Sequence, residues 1–243
     1  MNMQYVWIIW SLIILAIWFL IFWIKPGFRK PMLKMSLITM LFGLTEPLFV
    51  PEYWSPPSLF NLAEKTGFDI ESLIFSFAIG GIGAVLYRLV QKRGLIEIPV
   101  SERKQARHRL HRYILFVPAV VFAMLALLTS LNHIYCGIIA MFAGAVSTLY
   151  CRPDLKAKIW LGGLLFTLLY FIYFGSILLF YPDYVTLYWN LDALTHILVL
   201  GVPLEELLFA FSFGMLWSSL YEHLYWHKLV KELKPKIHPY GSL

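Results

Sequence analysis

Charge is what this sequence has least of. Of its 243 residues 14% are Asp, Glu, Lys or Arg while 60% are hydrophobic, and the mean hydropathy is +0.71. A soluble domain is about a quarter charged, so this chain has too few polar groups to cover a water-facing surface. Cysteine is nearly absent. Cys136 and Cys151 fall near opposite ends of one apolar run, ~22 Å apart if it is helical, too far for a disulfide. They read as packing residues. The first apolar run has no basic leader and no A-x-A site, so a cleaved signal peptide is not expected. Residues 203–222 hold no lysine, which excludes a retinal-binding seven-helix protein. GGIG (80–83) sits inside an apolar run with no strand before it, so it is a helix-packing face and not a dinucleotide cradle. AMFAG (140–144) reads the same way. No clustered HxxHH boxes are present, which excludes a membrane di-iron oxygenase. His108 and His111, or His223 and His227 with Glu222, have side chains that can ligate metal. Histidines among Lys and Arg at an interface are the commoner case, so neither a metal nor another cofactor is expected.

What the chain does have is apolar runs. A membrane crossing takes about 20 mostly apolar residues. Runs of that order recur at 5–24, 35–51, 69–90, 113–130, 134–151, 159–181 and 203–222. The expected fold class is therefore an all-α integral membrane protein of seven transmembrane helices. The shortest runs contain Glu46 and Pro118. The net charge of +6 is unevenly placed, which points to membrane topology and not to nucleic acid. Lys25, Arg29, Lys30 and Lys34 follow the first run, seven Lys and Arg from Lys92 to Arg112 follow the third, Arg152, Lys156 and Lys158 follow the fifth, and Lys228 to Lys236 follow the seventh. The alternate loops hold Lys65 alone. Basic loops stay cytoplasmic, so the N-terminus is expected outside and the C-terminus inside, in a multi-pass protein of the cell membrane.

The chain also repeats itself. YWSPPSLFNLAEKTGFDIESLIFSFAIGGIGAVLY (53–87) echoes YWNLDALTHILVLGVPLEELLFAFSFGMLWSSLY (188–221). One single-residue gap aligns Tyr53-Trp54 with Tyr188-Trp189, Glu71 with Glu205, Phe75 with Phe209 and Tyr87 with Tyr221. KPGFRK (25–30) echoes RPDLKA (152–157), and FGLTEPLFVPE (42–52) echoes FGSILLFYPD (174–183). Each half is thus three helices with the fourth helix joining them, a 3+1+3 parallel repeat about an axis along the membrane normal. The divisions are residues 1–90, the first repeat; 91–130, a basic loop and connecting helix; 131–222, the second repeat; and 223–243, a basic tail.

Acids then stand out. Pro203 suits the first position of a helix, which puts Glu205 and Glu206 in the first turn of the seventh helix; Asp69 and Glu71 fall likewise in the third. One reading is capping carboxylates favoured by the helix dipole. The functional one begins with SPPSLFNLAEK (55–65) and LDALTHILVL (191–200), which read as short interfacial helices lying over the glutamates as a lid. A carboxyl group among apolar neighbours can keep a proton at neutral pH and deliver it. Glu205 shares a helix face with Phe209, and Glu71 with Phe75, setting an acid beside an aromatic face that suits a carbocation. Glu206 points about 100° from Glu205 and takes a different role. Glu46, before Pro47, is a second proton-handling candidate, or a partner to Asn61 or His196; ionisable groups at depth are functional by default.

PLEE in a duplicated three-helix unit, with YW upstream and an aromatic-rich helix after it, resembles the lycopene cyclase domain, the small non-flavin membrane type. The resemblance covers about 1–225 as a fused pair, and its P-x-E-[E/D] signature is matched by Pro203, Glu205 and Glu206. The first half departs from it: Asp69 stands at the proline position and Ser72 at the second acid. The resemblance implies proton-initiated ring closure without net redox change, in which an acid protonates the terminal double bond, the neighbouring double bond attacks the cation, and a base removes a proton. The candidate catalytic residues are then Glu205, Glu206, Glu71 and Glu46, with Phe75, Phe209, Trp54, Trp189, His196 and Asn61 against a hydrophobic polyene that enters from the bilayer. Membrane lipids, other carotenoid enzymes and a second copy of the chain are the partners such an enzyme would meet. Two other readings stay open: a proton-coupled transporter of 3+1+3 type, which the scarcity of polar residues in the helices disfavours, and a non-catalytic membrane subunit with a cyclase-like fold.

Overall fold

The computed structural model describes residues 3–231 and is nearly all helical. Lys234, Lys236 and the rest of the basic tail beyond 231 lie outside the described residues. The principal helices are α1 (Val6–Ile24), α2 (Arg29–Met40), α3 (Ile70–Gln91), α4 (Val117–Leu128), α5 (His133–Cys151), α6 (Lys156–Phe180) and α7 (Leu204–Leu224). Each of the seven apolar runs overlaps one, though α2 starts before its run and shares only residues 35–40 with it. Four helical stretches are long and apolar enough to cross a membrane: Met3–Ile24, Ile70–Gln91, His133–Cys151 and Pro153–Phe180. A fifth arises if Ala106–Ile114 and Val117–Leu128, bent by 47°, are one span. The two others fall short for reasons visible in their residues. After Met40, α2 tightens into a 3-10 segment, Leu41–Leu48, that contains Pro47. Proline lacks the N–H an α-helix needs there and its ring crowds the carbonyl four residues back. The 21 residues of α7 include Glu205, Glu206, Glu222 and His223, which dilute its hydropathy.

Local chemistry fixes where the helices begin. Asp69 caps α3 by accepting the Ser72 amide, and Asn132 caps α5 through the Ile134 amide at 3.1 Å. Pro203 stands one residue earlier than its sequence position suggested, as the residue capping α7. It belongs to a two-residue hairpin, β2 (Leu198–Val199) against β3 (Val202–Pro203). That hairpin replaces the interfacial helix expected over 191–200, where one 3-10 turn (Leu191–Ala193) forms. Leu200 and Gly201 both take positive φ, 51° and 85°, the backbone that matches a tight hairpin to the strand twist. The first lid agrees better with expectation, with helical turns at Leu59–Asn61 and Leu62–Thr66.

The helices pack by halves. α3 lies against α1 and α2, α7 lies against α5 and α6, and α3 meets α7 at the centre. Trp217 on α7 donates to Thr39 on α2 at 2.6 Å, and Trp10 on α1 to Ser176 on α6 at 2.8 Å, tying the halves together. α6 and α7 approach through small residues, as membrane helices do: a Cβ added at Gly214 would stand 2.5 Å from Phe166 Cβ and 2.8 Å from the Gly162 carbonyl. Gly214→Val is therefore expected to lower stability by about 1–3 kcal/mol through overpacking, seen as a lower melting temperature of the purified protein in detergent.

Two pairings join equivalent parts of the halves. Trp54 and Trp189, just before α3 and α7, form an antiparallel bridge, with Ser55 N–H donating to the Tyr188 carbonyl (2.8 Å) and Asn190 N–H to the Tyr53 carbonyl (3.0 Å). Just after α3 and α7, β1 (Arg93–Glu97) and β4 (His227–Lys231) pair antiparallel, centred on Leu95 and Leu229. The offset that aligns Glu71 with Glu205 also aligns Leu95 with Leu229. Nothing in the hydropathy announced these strands, which are five residues each. Lys228 on β4 also reaches Glu102 at 2.8 Å and holds its carboxyl below the usual range by that hydrogen bond.

Candidate functional site

Between the halves lies an apolar cavity of about 590 Å³, within the ~300–1,000 Å³ typical of small-molecule sites. Its wall draws on α2, α3, α4, α5, α6 and α7. Glu206 and Leu224, at opposite ends of α7, both line it, so it extends ~27 Å at a helical rise of ~1.5 Å per residue. Two carboxyl groups face it, both near the starts of α3 and α7: Glu46 and Glu206. Aromatic rings make up much of the remainder at that end. Trp54 and Trp189 stand 5.2 Å apart, Phe75 lies 5.9 Å from Tyr173, and Phe209 stacks on Phe213 at 5.8 Å.

The two acids are held differently. Glu206, 5% exposed, accepts three hydrogen bonds: from the Tyr53 hydroxyl (2.5 Å) and the Trp189 indole (2.9 Å) at Oε1, and from the Tyr170 hydroxyl (2.6 Å) at Oε2. Three neutral donors are the set that stabilises a carboxylate. Glu46, buried, accepts one, from Ser72 Oγ at 2.9 Å on Oε2, and its Oε1 has no partner. An oxygen left without a donor in an apolar wall is where a proton can reside and be handed on. Ser72 is the residue that replaces the second acid of the motif in the first half. The structure thus sets a carboxyl on the 3-10 segment after α2 beside the serine of α3, where the second half carries its carboxyl on α7 beside Tyr170 of α6.

Glu71 and Glu205 are placed elsewhere. Both are buried, yet neither is among the residues lining the cavity. Each accepts a backbone amide of its lid: Leu59 N–H to Glu71 Oε1 at 2.7 Å, and Thr195 N–H to Glu205 Oε1 at 2.9 Å. Glu205 also takes the Tyr135 hydroxyl at 2.7 Å. Glu46 pairs with Ser72, not with Asn61 or His196. Those two lie exposed on the lids at positive φ, 54° and 60°, and do not line the cavity. Phe75, Phe209, Trp54 and Trp189 do. Sequence reasoning missed Tyr170, Tyr173 and Ser72 as site residues. Tyr53 was within reach, since it begins the repeated YW pair; Tyr170 carried no signal, sitting mid-helix in an apolar run.

Fold and cavity together describe a helical protein with four to five stretches apolar enough to span a membrane among the described residues, and with an acid-bearing apolar cavity between its helices. Residues 132–224 match the family model described as Lycopene cyclase. The match runs from the cap of α5 to the last residue of α7 and includes Pro203, Glu205 and Glu206, so the resemblance carried by those residues is borne out over that stretch. The match covers less than half of the chain and supports a carotenoid-cyclase reading in general terms. Comparison with curated proteins and with solved structures gave no match.

Proposed function

We propose that the protein is a carotenoid cyclase that closes a ring at the end of an acyclic, lycopene-type polyene by proton transfer, without net redox change. The observation that carries this reading is the long apolar cavity with two differently held carboxyl groups at one end. A polyene is apolar, extended and enters from the bilayer; the cavity is all three of apolar, elongated and membrane-embedded. Glu46 is the proton donor to the terminal double bond. Glu206, with its three donors, is the carboxylate that faces the resulting cation and takes a proton from it. Trp54, Trp189, Phe75 and Phe209 offer π-faces to the cation, and the apolar wall keeps out the water that would trap it. Glu71 and Glu205 hold the lids over that end. By this chemistry the enzyme is an intramolecular lyase or isomerase.

The same proposal includes a 3+1+3 parallel repeat of seven spans, N-terminus out, in the cell membrane. Three features support it. α3 and α7 take equivalent neighbours, the YW segments pair with each other before them, and β1 and β4 pair with each other after them. A twofold axis between α3 and α7 would map each pairing onto itself, much as an isologous interface does. Alternation of basic loops gives the orientation.

The test is pigment analysis in bacteria engineered to accumulate lycopene. The wild-type chain is expected to give one-ring or two-ring products, resolved by chromatography. Unchanged lycopene beside folded, membrane-inserted protein would sink the reading and turn attention to transport or to a non-catalytic subunit. Glu205→Gln is expected to keep ring formation within about tenfold of wild type while lowering thermal stability by ~1.5–3 kcal/mol, the range for a charged hydrogen bond. Loss of all product from well-folded Glu205→Gln would instead place Glu205 in the chemistry.

A further inference from the structure

A second cluster lies at the opposite end of the molecule from the acids. The basic stretch between α3 and α4 forms a 3-10 turn, Ala106–His108, and a helical turn, His111–Ile114. It brings His108 and His111 onto Cys151, the last residue of α5. Both Nδ1 atoms stand 3.2 Å from Cys151 Sγ, and one donor atom from each of the three residues lies within 4.8 Å of the others. All three are buried, at 6%, 4% and 0% exposure. The rings are fixed in place: Trp226 stacks on His111 at 3.7 Å and 15°, and meets His108 edge-on at 5.1 Å. His223 stands against His111 at 4.2 Å, and its Nε2 is buried without a partner.

We propose that His108, His111 and Cys151 form a site for a divalent transition-metal ion of the zinc class, with a fourth position open on the side of His223. Zinc takes nitrogen at ~2.0–2.1 Å and thiolate sulfur at ~2.3 Å, which sets N and S donors ~3.5 Å apart around a tetrahedral ion. The observed 3.2 Å needs an adjustment of a few tenths of an ångström. Two imidazoles and a thiolate are a borderline-soft donor set that suits zinc or cobalt and not calcium or magnesium. Without an ion the thiol can donate to one ring and accept Nδ1–H from the other; with the ion bound, the thiolate and both Nδ1 atoms turn to the metal. Charge does not forbid it. Of the cations nearby, Arg152 is held bidentate by Asp154 at 2.9 and 2.7 Å, Arg107 is paired with Glu102 at 3.2 Å, and the Lys158 ammonium is paired with Glu222. The ion would clip the stretch that trails the first half to α5 of the second, with its fourth position left for a small ligand, and it stands apart from the ring-closing cavity.

The experiment is metal analysis of the full-length protein, purified through a tag without histidine. About one zinc per chain is expected to survive dialysis, since nitrogen and thiolate ligands hold the ion tightly at neutral pH. Cobalt in its place should show ligand-field bands of a tetrahedral site and a thiolate charge-transfer band. Cys151→Ser should lose the charge-transfer band, and Cys136→Ser should keep it. A wild-type measurement stands if Cys151→Ser fails to fold: zinc should protect Cys151 from alkylation in the folded protein, read by mass spectrometry. Folded wild type that takes up no zinc and gains no protection overturns the proposal, as does an unchanged cobalt spectrum in Cys151→Ser.

Discussion

Glu206→Gln is expected to lower ring formation about 10²–10⁴-fold, the contribution of a positioned acid–base group, while leaving the protein folded. Glutamine keeps the shape of the side chain and can still meet the Tyr53, Tyr170 and Trp189 donors, of which the two hydroxyls can turn to accept. What it loses is the negative charge opposite the developing cation and the ability to take up a proton. Chromatography of pigments from lycopene-accumulating cells reads the rate of conversion, and a melting curve of the purified protein reads the fold. Tyr170→Phe, which removes one donor, should cost less, about 10–150-fold, because one hydrogen bond to a charged group is worth ~1.5–3 kcal/mol. Glu46→Gln should block the reaction at its start, since no proton can then be delivered to the double bond. If Glu206→Gln converts lycopene as wild type does, the carboxylate role is wrong and the three donors merely bury a structural acid.

Most of the helical fold was legible because hydrophobic runs of membrane length have few alternatives. The likeness of Tyr53-Trp54 to Tyr188-Trp189 was legible too, though sequence alone could not say that the two segments would touch. The choice between Glu205 and Glu206 was not legible. Adjacent residues on a helix differ by about 100°, and which of two faces looks into a cavity depends on how α7 is rotated against α5 and α6. Phe209 shares a face with Glu205 by spacing, yet it lines the cavity while Glu205 reaches back to the lid. The first turn of a helix lets a long side chain do that, because the chain preceding the helix folds over it. Tyr170 was hidden for a similar reason: it meets Glu206 from another helix, at a sequence distance that no motif spans. β1 and β4 were invisible because each is a single short strand without alternation, defined by its partner. The neighbourhood of Cys151 was misread as plain packing, since the histidines that meet it come from a loop whose path only tertiary structure sets.

Lys158→Met is expected to destabilise the protein by about 3–5 kcal/mol, the cost of leaving one member of a buried ion pair alone. Lys158 on α6 and Glu222 on α7 have side chains 0% and 1% exposed and bond directly. Glu222 Oε2 accepts no hydrogen bond, and Lys158 is the cation bonded to the carboxylate. The backbone there is tied as well, with Arg152 Nη1 donating to the Glu222 carbonyl at 2.9 Å and Ser218 Oγ to the Lys158 carbonyl at 3.2 Å. Removing the ammonium would leave a buried carboxylate without the cation bonded to it, which is costly. Lys158→Met/Glu222→Leu should recover most of the loss, because two apolar side chains of similar size need no compensation. A double-mutant cycle on melting of the detergent-solubilised protein measures this coupling. Additive losses in the double variant would show that the pair is not coupled and that Lys158 matters for packing alone. Ring formation should fall in Lys158→Met only in proportion to the folded fraction, since neither residue lines the cavity; a loss of product from fully folded protein would give the pair a part in the reaction.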